Sequence, residues 1–264
     1  IFATPERRFP MDFNARAAAA ERAARAAGEM LLHHGSLRYK EKADNDFVTE
    51  LDPKSEKMIR DILLGEFPED AFYGEESGGE TNAHGRWIVD PIDGTQSFMR
   101  GQIGWCISIA YEHEGELVAG CVYVPMVDEM FLAVRGQGAT LNGKPIHVSP
   151  ISDPHKAILH FGYGHRVPDS FKRFIALVPD LFHKISDVRR YGTAAYGLCT
   201  VACGRSDAFA ELSLCIYDIA AAKVILEEAG GKMTGWANEA DATITGNVVA
   251  TNGLLHDFFL ETLR

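Results

Sequence analysis

The sequence predicts an α/β protein with an antiparallel sheet in its N-terminal half and a mixed, mostly parallel sheet in its C-terminal half. In the first half, short apolar segments follow one another at hairpin spacing and end at polar turns. In the second half, strand-like segments alternate with helical ones, which is typical of parallel strands joined by helices. An alanine-rich stretch near the start predicts a long helix ahead of both sheets.

Two helices separated by a polar stretch are expected at the start of the chain. Residues 12–34 are rich in Ala, Glu and Arg, which favour helix. Residues 36–51 are polar, and we expect them to form a loop. Asp52 and Pro53 then suit the N-cap and the first position of a second helix, which ends near residues 67–68.

The remaining elements are short and are bounded by polar turns, glycines or prolines. In the first half we expect strands at residues 87–89, 105–111, 117–124 and 129–134. In the second half we expect strands at residues 157–162, 187–191, 208–211, 233–235 and 248–250, and helices at residues 170–177, 193–203, 219–229 and 254–263. The change of pattern predicts a boundary near residues 148–154, which divides the chain into halves at residues 1–150 and 151–264.

Composition limits the function of this 264-residue chain. Its 26 Lys and Arg against 37 Asp and Glu give a net charge of −11, which argues against nucleic acid or an anionic membrane as a partner. The charge leaves open an anionic small-molecule substrate, provided that a cation neutralises it. The sequence contains no run of 18 apolar residues and no secretory signal pattern, so we expect no membrane partner. The five cysteines are odd in number and lack a CxxC spacing, which favours reduced thiols and a cytoplasmic location.

Asp90 and Asp93 form the most informative chemical pattern. They lie three residues apart, directly after an apolar strand, and Gly94 permits a tight turn behind them. A helix beginning at Thr95 would offer backbone N–H groups to an anion. Carboxylates and backbone carbonyls suit a hard cation such as Mg²⁺. Asp93 as a helix N-cap and Asp90 as a turn residue is the structural alternative.

Three further acidic sites have ordinary structural explanations when each is taken alone. The adjacent Glu75 and Glu76 could be a solvated surface pair. Asp218 and Asp52 each precede a predicted helix, so each could be an N-cap. An N-cap carboxylate keeps its second oxygen available, and capping therefore does not exclude a role in chemistry.

Taken together, four motifs identify a resemblance. GEES at residues 74–77, DPIDGT at 90–95, GTAA at 192–195 and YDIAA at 217–221 resemble the inositol monophosphatase family in order and spacing, over residues 12–263. The resemblance implies a layered αβαβα sandwich. It also implies a lithium-sensitive, Mg²⁺-dependent hydrolase that acts on phosphate monoesters, with two or three Mg²⁺ per active site, and a homodimer.

The resemblance also implies roles for particular residues. Glu75, Asp90 and the carbonyl of Ile92 would hold one metal ion. Asp90, Asp93 and Asp218 would hold a second, and a third would lie near Glu75. These cations would offset the repulsion between the carboxylates and a dianionic phosphate.

The same resemblance implies that Thr95, Asp52 and Glu75 are catalytic residues, and it implies how the substrate is bound. The hydroxyl of Thr95 and the carboxylate of Asp52 would orient a metal-activated water, so no Ser, Cys or His nucleophile is needed. The backbone N–H groups of Gly94 and Thr95 would bind the phosphate. The alcohol part of the substrate would contact Asp93, Ala194, Glu211 and Asp218.

Inositol monophosphate is the substrate that we expect. Histidinol phosphate, fructose 1,6-bisphosphate and 3′-phosphoadenosine 5′-phosphate are the alternatives, because phosphatases for these substrates belong to the same superfamily. A non-catalytic binding protein that keeps the fold is a further alternative, which the presence of the whole acidic set disfavours.

Overall fold

The computed structural model describes residues 13–43, 46–80, 83–163 and 168–263. The predicted first helix begins at residue 12, which lies outside the described residues. The helices are α1 Phe13–Leu32, α2 Asp52–Glu66, α3 Thr95–Met99, α4 Pro168–Lys184, α5 Ala194–Ala202, α6 Ile216–Glu228, α7 Ala242–Thr245 and α8 His256–Thr262. The strands are β1 Tyr39–Ala43, β2 Asp46–Thr49, β3 Ala71–Gly74, β4 Gly78–Gly79, β5 Gly85–Asp93, β6 Cys106–His113, β7 Glu116–Val124, β8 Glu129–Val134, β9 Ala139–Leu141, β10 Lys144–Ile146, β11 Ile158–Phe161, β12 Asp187–Arg189, β13 Ala208–Glu211, β14 Lys232–Thr234 and β15 Val248–Thr251.

Each half of the chain contributes one main sheet. The larger sheet has the strand order β10-β9-β8-β7-β6-β5-β3-β4 and is antiparallel except where β3 runs parallel to β5. The smaller sheet has the order β12-β11-β13-β15-β14. Strand β11 runs parallel to β12 and β13, whereas β15 runs antiparallel to β13 and β14. The predicted combination of an antiparallel and a mixed sheet is confirmed, and the mixed sheet contains as many antiparallel as parallel pairings among the described strands.

Helices and sheets alternate in five layers. Helices α1 and α2 pack through their buried residues on one face of the larger sheet. Helices α5 and α6 lie between the two sheets and share one apolar core with both of them. Helices α4 and α8 cover the outer face of the smaller sheet. The layered αβαβα sandwich is therefore confirmed, and it places the start of α5 and of α6 beside the larger sheet.

Two expectations about the first half need correction. Residues 36–51 do not form a simple loop, because β1 and β2 pair there as an antiparallel hairpin. Their polar composition hides the strands, since neither face of this two-stranded hairpin requires a regular apolar pattern. Asp52 is not the N-cap of α2, because Leu51 occupies that position and the Asp52 side chain bonds backward to Thr49.

A buried ion pair joins α1 to the larger sheet. The Arg16 guanidinium donates to both carboxylate oxygens of Asp70 at 2.9 Å and lies 4.4 Å from the ring centre of Phe67. The Tyr111 hydroxyl of β6 donates to Asp70 at 2.8 Å. Because both charges are buried, removal of either partner would leave the other uncompensated.

Strand β5 carries the predicted metal-binding aspartates into the middle of the molecule. All nine of its residues are buried, since it lies inside the larger sheet and is covered on both faces by helices.

No helix in the described part of the chain combines the length and apolarity needed to cross a membrane.

Candidate active site

A cavity of about 730 Å³ opens where β5 ends, and both halves of the chain line it. Most of the predicted site residues share this lining. They are Glu75, Asp90, Ile92, Asp93, Gly94, Thr95, Ala194, Glu211 and Asp218. Asp52 lies next to the cavity and contacts Thr95. The fold thus brings together residues that are up to 166 positions apart in the sequence (52 and 218).

The carboxyl end of β5 presents Asp90 and Asp93 to the cavity. Asp90 Oδ1 accepts a hydrogen bond from the N–H of Ile92 at 3.0 Å, and the pairing of β5 with β6 is interrupted between the two aspartates. Asp93 Oδ2 accepts from the N–H of Ala195 at 2.7 Å, so Asp93 contacts the first turn of α5. The predicted alternative, Asp93 as N-cap of the helix that follows it, is wrong because Gly94 holds that position.

Gly94 has a backbone conformation that other residues rarely adopt. Its φ angle is 88°, in the left-handed region, and a Cβ atom here would also overlap the hydroxyl of Thr193. The first N–H groups of a helix have no acceptor within that helix. A glycine at this turn therefore lets α3 begin immediately behind the aspartates, with its first N–H groups beside the cavity.

Like charges surround Asp90. Burial raises the pKa of Asp90 well above its ordinary value, and the carboxylates of Glu75, Asp93 and Asp218 raise it further. The pKa of Asp93 is also raised well above the usual range, by burial and by the charge of Asp218. The four carboxylates are thus close enough to repel one another, which a bound cation would relieve.

The donor set of the cavity consists of oxygen atoms. Among the described residues, no three acidic, His or Cys side chains are already gathered as a complete metal cluster. The four carboxylates nevertheless line one cavity and couple electrostatically, and Ile92 lines the same cavity. Carboxylate and carbonyl oxygens are the ligands that Mg²⁺ prefers, so the residues present fit that ion.

Asp218 combines a capping contact with its place in the cavity. It is the third residue of α6, and its Oδ2 accepts from the N–H of Cys215 at 2.6 Å. Cys215, rather than Asp218, is therefore the N-cap residue. The hydroxyl of Ser108 on β6 donates to the carbonyl of Tyr217 at 3.1 Å, which holds this end of α6 against the larger sheet.

Thr95 and Asp52 form a hydrogen-bonded pair behind the aspartates. The Thr95 hydroxyl lies 3.2 Å from Asp52 Oδ1 and 3.1 Å from the carbonyl oxygen of Ile92. The other oxygen of Asp52 accepts from the N–H and the hydroxyl of Thr49, at 2.8 and 2.5 Å. Burial raises the pKa of Asp52, while the bonds from Thr49 lower it. Asp52 is thereby fixed with one oxygen directed toward Thr95.

Sequence reasoning missed several residues around the cavity. Glu56 accepts two hydrogen bonds from the loop that carries Glu75, and its position one helical turn after Asp52 was the available signal. Tyr163, Arg190 and Tyr191 line the cavity as well, and the Arg190 guanidinium lies 4.3 Å from the ring centre of Tyr163. These three belong to no motif, so only the fold brings them to the site.

Comparison with known proteins identifies the family. The model of the inositol monophosphatase family matches residues 12–264, and the chain therefore belongs to that family. Among curated relatives, the protein named Nus factor SuhB from Escherichia coli is 35% identical over 251 residues, which cover 93% of this chain and 94% of the relative. The protein of the same name from Vibrio cholerae is 36% identical over 237 residues, which cover 88% of this chain and 89% of the relative.

Solved structures of the family share the fold. The extragenic suppressor protein SuhB from Bartonella henselae superposes with a TM-score of 0.90 at 33% identity, covering 95% of this chain and 98% of that one. The inositol monophosphatase from Anabaena (Nostoc) superposes with a TM-score of 0.85 at 33% identity, covering 96% of each chain. The family resemblance inferred from the four motifs is confirmed.

One expectation from composition is wrong. The negative net charge predicts that nucleic acid is not a partner, but curated relatives are named Nus factors, a name that belongs to transcription. The physical reason is that net charge sums over the whole surface, whereas a macromolecule contacts one patch of it. The net charge of −11 therefore does not exclude nucleic acid as a partner.

Proposed function

We propose that this chain hydrolyses a small phosphate monoester in a Mg²⁺-dependent reaction, and that inositol monophosphate is its substrate. The observation that carries the proposal is the convergence of Glu75, Asp90, Asp93 and Asp218 on one cavity beside the first N–H groups of α3. Relatives named inositol monophosphatase support the choice of substrate. The absence of a disulfide among the five cysteines, all of them described, supports a reducing, cytoplasmic setting.

The metal-binding residues are those that the family resemblance implies, and the oxygen donors of the cavity are compatible with them. Glu75, Asp90 and the carbonyl of Ile92 would hold one Mg²⁺, and Asp90, Asp93 and Asp218 a second, with a third near Glu75. When bound, these ions would neutralise the phosphate and lower the pKa of water for an in-line attack. The mutual repulsion that raises the pKa of Asp90 supports this assignment.

Thr95 and Asp52 would orient the attacking water and take its proton. A hydroxyl has one proton, so Thr95 can donate to either Asp52 or the Ile92 carbonyl while accepting from water. Asp52 is suited to receive a proton because burial raises the pKa of its carboxyl. The two bonds from Thr49 keep it in place during the transfer.

Substrate contacts would come from both halves of the chain. The N–H groups of Gly94 and Thr95 would bind the phosphate oxygens at the start of α3. Asp93, Ala194, Glu211 and Asp218 would contact the hydroxyl groups of the alcohol. Of these, Ala194 begins α5 and Glu211 ends β13, so the C-terminal half would supply part of the wall that faces the leaving group.

Phosphate release from a substrate panel tests the proposal. The panel contains inositol 1-phosphate, histidinol phosphate, fructose 1,6-bisphosphate, 3′-phosphoadenosine 5′-phosphate and 2-glycerophosphate, each with Mg²⁺ and again with EDTA. We expect Mg²⁺-dependent release that is fastest with inositol 1-phosphate. Faster release from another compound would move the substrate to that compound, and no release from any of them, with Mg²⁺ binding intact, would overturn the phosphatase proposal.

The relatives' name supports a second candidate function in transcription. Binding of a fluorescently labelled single-stranded RNA, followed by anisotropy, tests direct contact with nucleic acid. We expect a variant with Asp93→Asn to bind RNA as the unmodified chain does if this function is independent of the cavity. Absence of binding at physiological salt would leave only a role through a protein partner.

A further inference from the structure

We propose that Glu56 is a positioning residue, which holds the loop of Glu75 in place for divalent cation binding. The inference rests on the proposed function, because it assigns Glu75 to the metal site. Glu56 belongs to none of the four family-like motifs, and it does not itself line the cavity. Its effect is exerted through the backbone of the residues that follow Glu75.

The Glu56 carboxylate is buried and uses both its oxygens on one short segment. The residue is 4% exposed. One oxygen accepts from the N–H of Glu76 at 2.8 Å and the other from the N–H of Ser77 at 3.0 Å. Hydrogen bonds from backbone N–H groups to a carboxylate are stronger than those to a neutral acceptor. The backbone segment after Glu75 is therefore held by the Glu56 carboxylate.

The backbone on the other side of Glu75 is held by the larger sheet. The N–H of Glu75 donates to the carbonyl of Val89 on β5 at 3.0 Å. At Gly74, a Cβ atom would overlap the Glu56 carboxylate, so only glycine lets the strand pass this close to α2. Glu75 thus lies between two restraints, one from β5 and one from Glu56, and its backbone position relative to Asp90 depends on both.

The start of helix α2, which carries Glu56, also contacts other parts of the site. Asp52 and Glu56 are four residues apart and share one face of the helix. Between them, the buried Ser55 hydroxyl donates to the carbonyl of Pro91 at 3.3 Å. The first five residues of α2 therefore contact Thr95, the backbone between Asp90 and Ile92, and the loop of Glu75. Glu56 is the member of this set that reaches the Glu75 loop.

Substitution of Glu56 by Gln tests the proposal with little change of shape. The Gln carbonyl accepts from one N–H, but its amide group presents a donor to the other, so one of the two hydrogen bonds is lost. We expect about a tenfold rise in the Mg²⁺ concentration that gives half-maximal phosphate release, with kcat at saturating Mg²⁺ changed by less than about threefold.

Two measurements that do not require turnover accompany this one. Calorimetry should show Mg²⁺ itself binding about tenfold more weakly to the Glu56→Gln variant. Hydrogen exchange should show faster exchange in the peptide that spans residues 74–79. The control is Glu112→Gln, because Glu112 is a partly buried carboxylate that pairs with Arg86 at the opposite end of β5. We expect this control to leave both measurements unchanged.

The outcomes separate positioning from a merely structural role. Wild-type Mg²⁺ binding and wild-type exchange of residues 74–79 in the Glu56→Gln variant would overturn the proposal. Faster exchange spread equally over α8, far from this loop, would also overturn it, because it would show general destabilisation. If the unmodified chain releases no phosphate but the variant still weakens Mg²⁺ binding and loosens the loop, the proposed function fails and the positioning role of Glu56 stands.

Discussion

The cavity has two walls that are built differently. The wall from the N-terminal half rests on β5, whose nine residues are all buried, and its polar groups are held by hydrogen bonds to α2 and α5. The opposite wall includes Tyr191 and Arg190, both exposed, and Tyr191 stacks on the buried His160 with ring centres 4.5 Å apart. Buried and restrained carboxylates suit the common chemistry of phosphate release. Under the proposed function, exposed side chains at the other wall would suit discrimination between alcohols.

Removal of one carboxylate from the buried wall should have the largest effect on activity. Asp93→Asn keeps the shape of the side chain but removes a charge that the proposed metal site requires. We expect turnover of inositol 1-phosphate to fall by about 10³-fold or more, which corresponds to a loss of roughly 4 kcal/mol in transition-state stabilisation. Phosphate release at saturating Mg²⁺ measures this effect.

The stability of the Asp93→Asn variant provides its control. Burial and neighbouring carboxylates raise the pKa of Asp93, so the folded state tolerates its charge poorly. We expect the metal-free variant to be at least as stable as the metal-free parent when unfolding by urea is followed by circular dichroism. Wild-type turnover would contradict the assignment of Asp93 to the metal site.

The Thr95 hydroxyl should have a smaller effect, because in the proposed mechanism it would orient water without holding the cations. Thr95→Val keeps the branched shape and removes the hydrogen bonds to Asp52 and the Ile92 carbonyl. We expect kcat to fall by about 10²-fold, in the range found for loss of general acid–base assistance. Mg²⁺ binding, measured by calorimetry, should stay within about twofold of the parent. Weaker Mg²⁺ binding in proportion to the loss of kcat would assign Thr95 to the metal site instead.

The contrast between the walls also explains what could be predicted from sequence. Asp90 and Asp93 were found because one strand carries both, and their convergence is local. Glu75 and Asp218 were assigned only by family resemblance, since β3 and α6 bring them to β5 through the topology of the whole chain. Short-range patterns also failed at residues 39–43 and 46–49, which form two paired antiparallel strands instead of the predicted loop.

The opposite wall is harder to predict for the same physical reason. Tyr163, Arg190 and Tyr191 lie in segments with no motif. The contacts of Arg190 with Tyr163 and of Tyr191 with His160 join residues that are distant in sequence, so only the folded chain shows them. The division at residues 150 and 151, the homodimer and the lithium sensitivity stay predictions.

Substitution of Glu211 tests the role proposed for the opposite wall of the cavity. Its carboxylate ends β13 and lines the cavity, so Glu211→Gln should alter contact with the substrate alcohol and leave the acidic cluster intact. We expect the ratio of kcat/KM for inositol 1-phosphate to that for 2-glycerophosphate to fall by about tenfold, or roughly 1.4 kcal/mol. The maximal rate with 2-glycerophosphate should change by less than about threefold. An equal loss on every substrate would make Glu211 structural.

The two halves should also respond to acid with opposite sign. Burial raises the pKa of Asp90 and Asp93, so the metal-free folded state binds protons more tightly than the unfolded state, and the contribution of these residues to stability falls as pH rises. In the C-terminal half, burial lowers the pKa of His256 to about 4. Its two ring nitrogens lie 3.0 Å from the hydroxyls of Thr251 and Thr234, and the ring is held between them.

His256 therefore destabilises the fold on the acid side. The pKa of His256 in the unfolded chain is about 6.5, so below that pH the unfolded chain binds a proton while His256 in the folded chain stays neutral. The free energy of unfolding therefore decreases as pH falls toward 4. Between pH 7 and pH 5.5 we expect the unfolding free energy of the parent to fall by about 1 kcal/mol more than that of His256→Gln. Urea unfolding of both proteins at the two pH values measures this difference, and the comparison cancels the carboxylates that they share. Equal losses in the two proteins would show that His256 takes up its proton equally well in the folded state, and that its buried position between two hydroxyls does not oppose the charge.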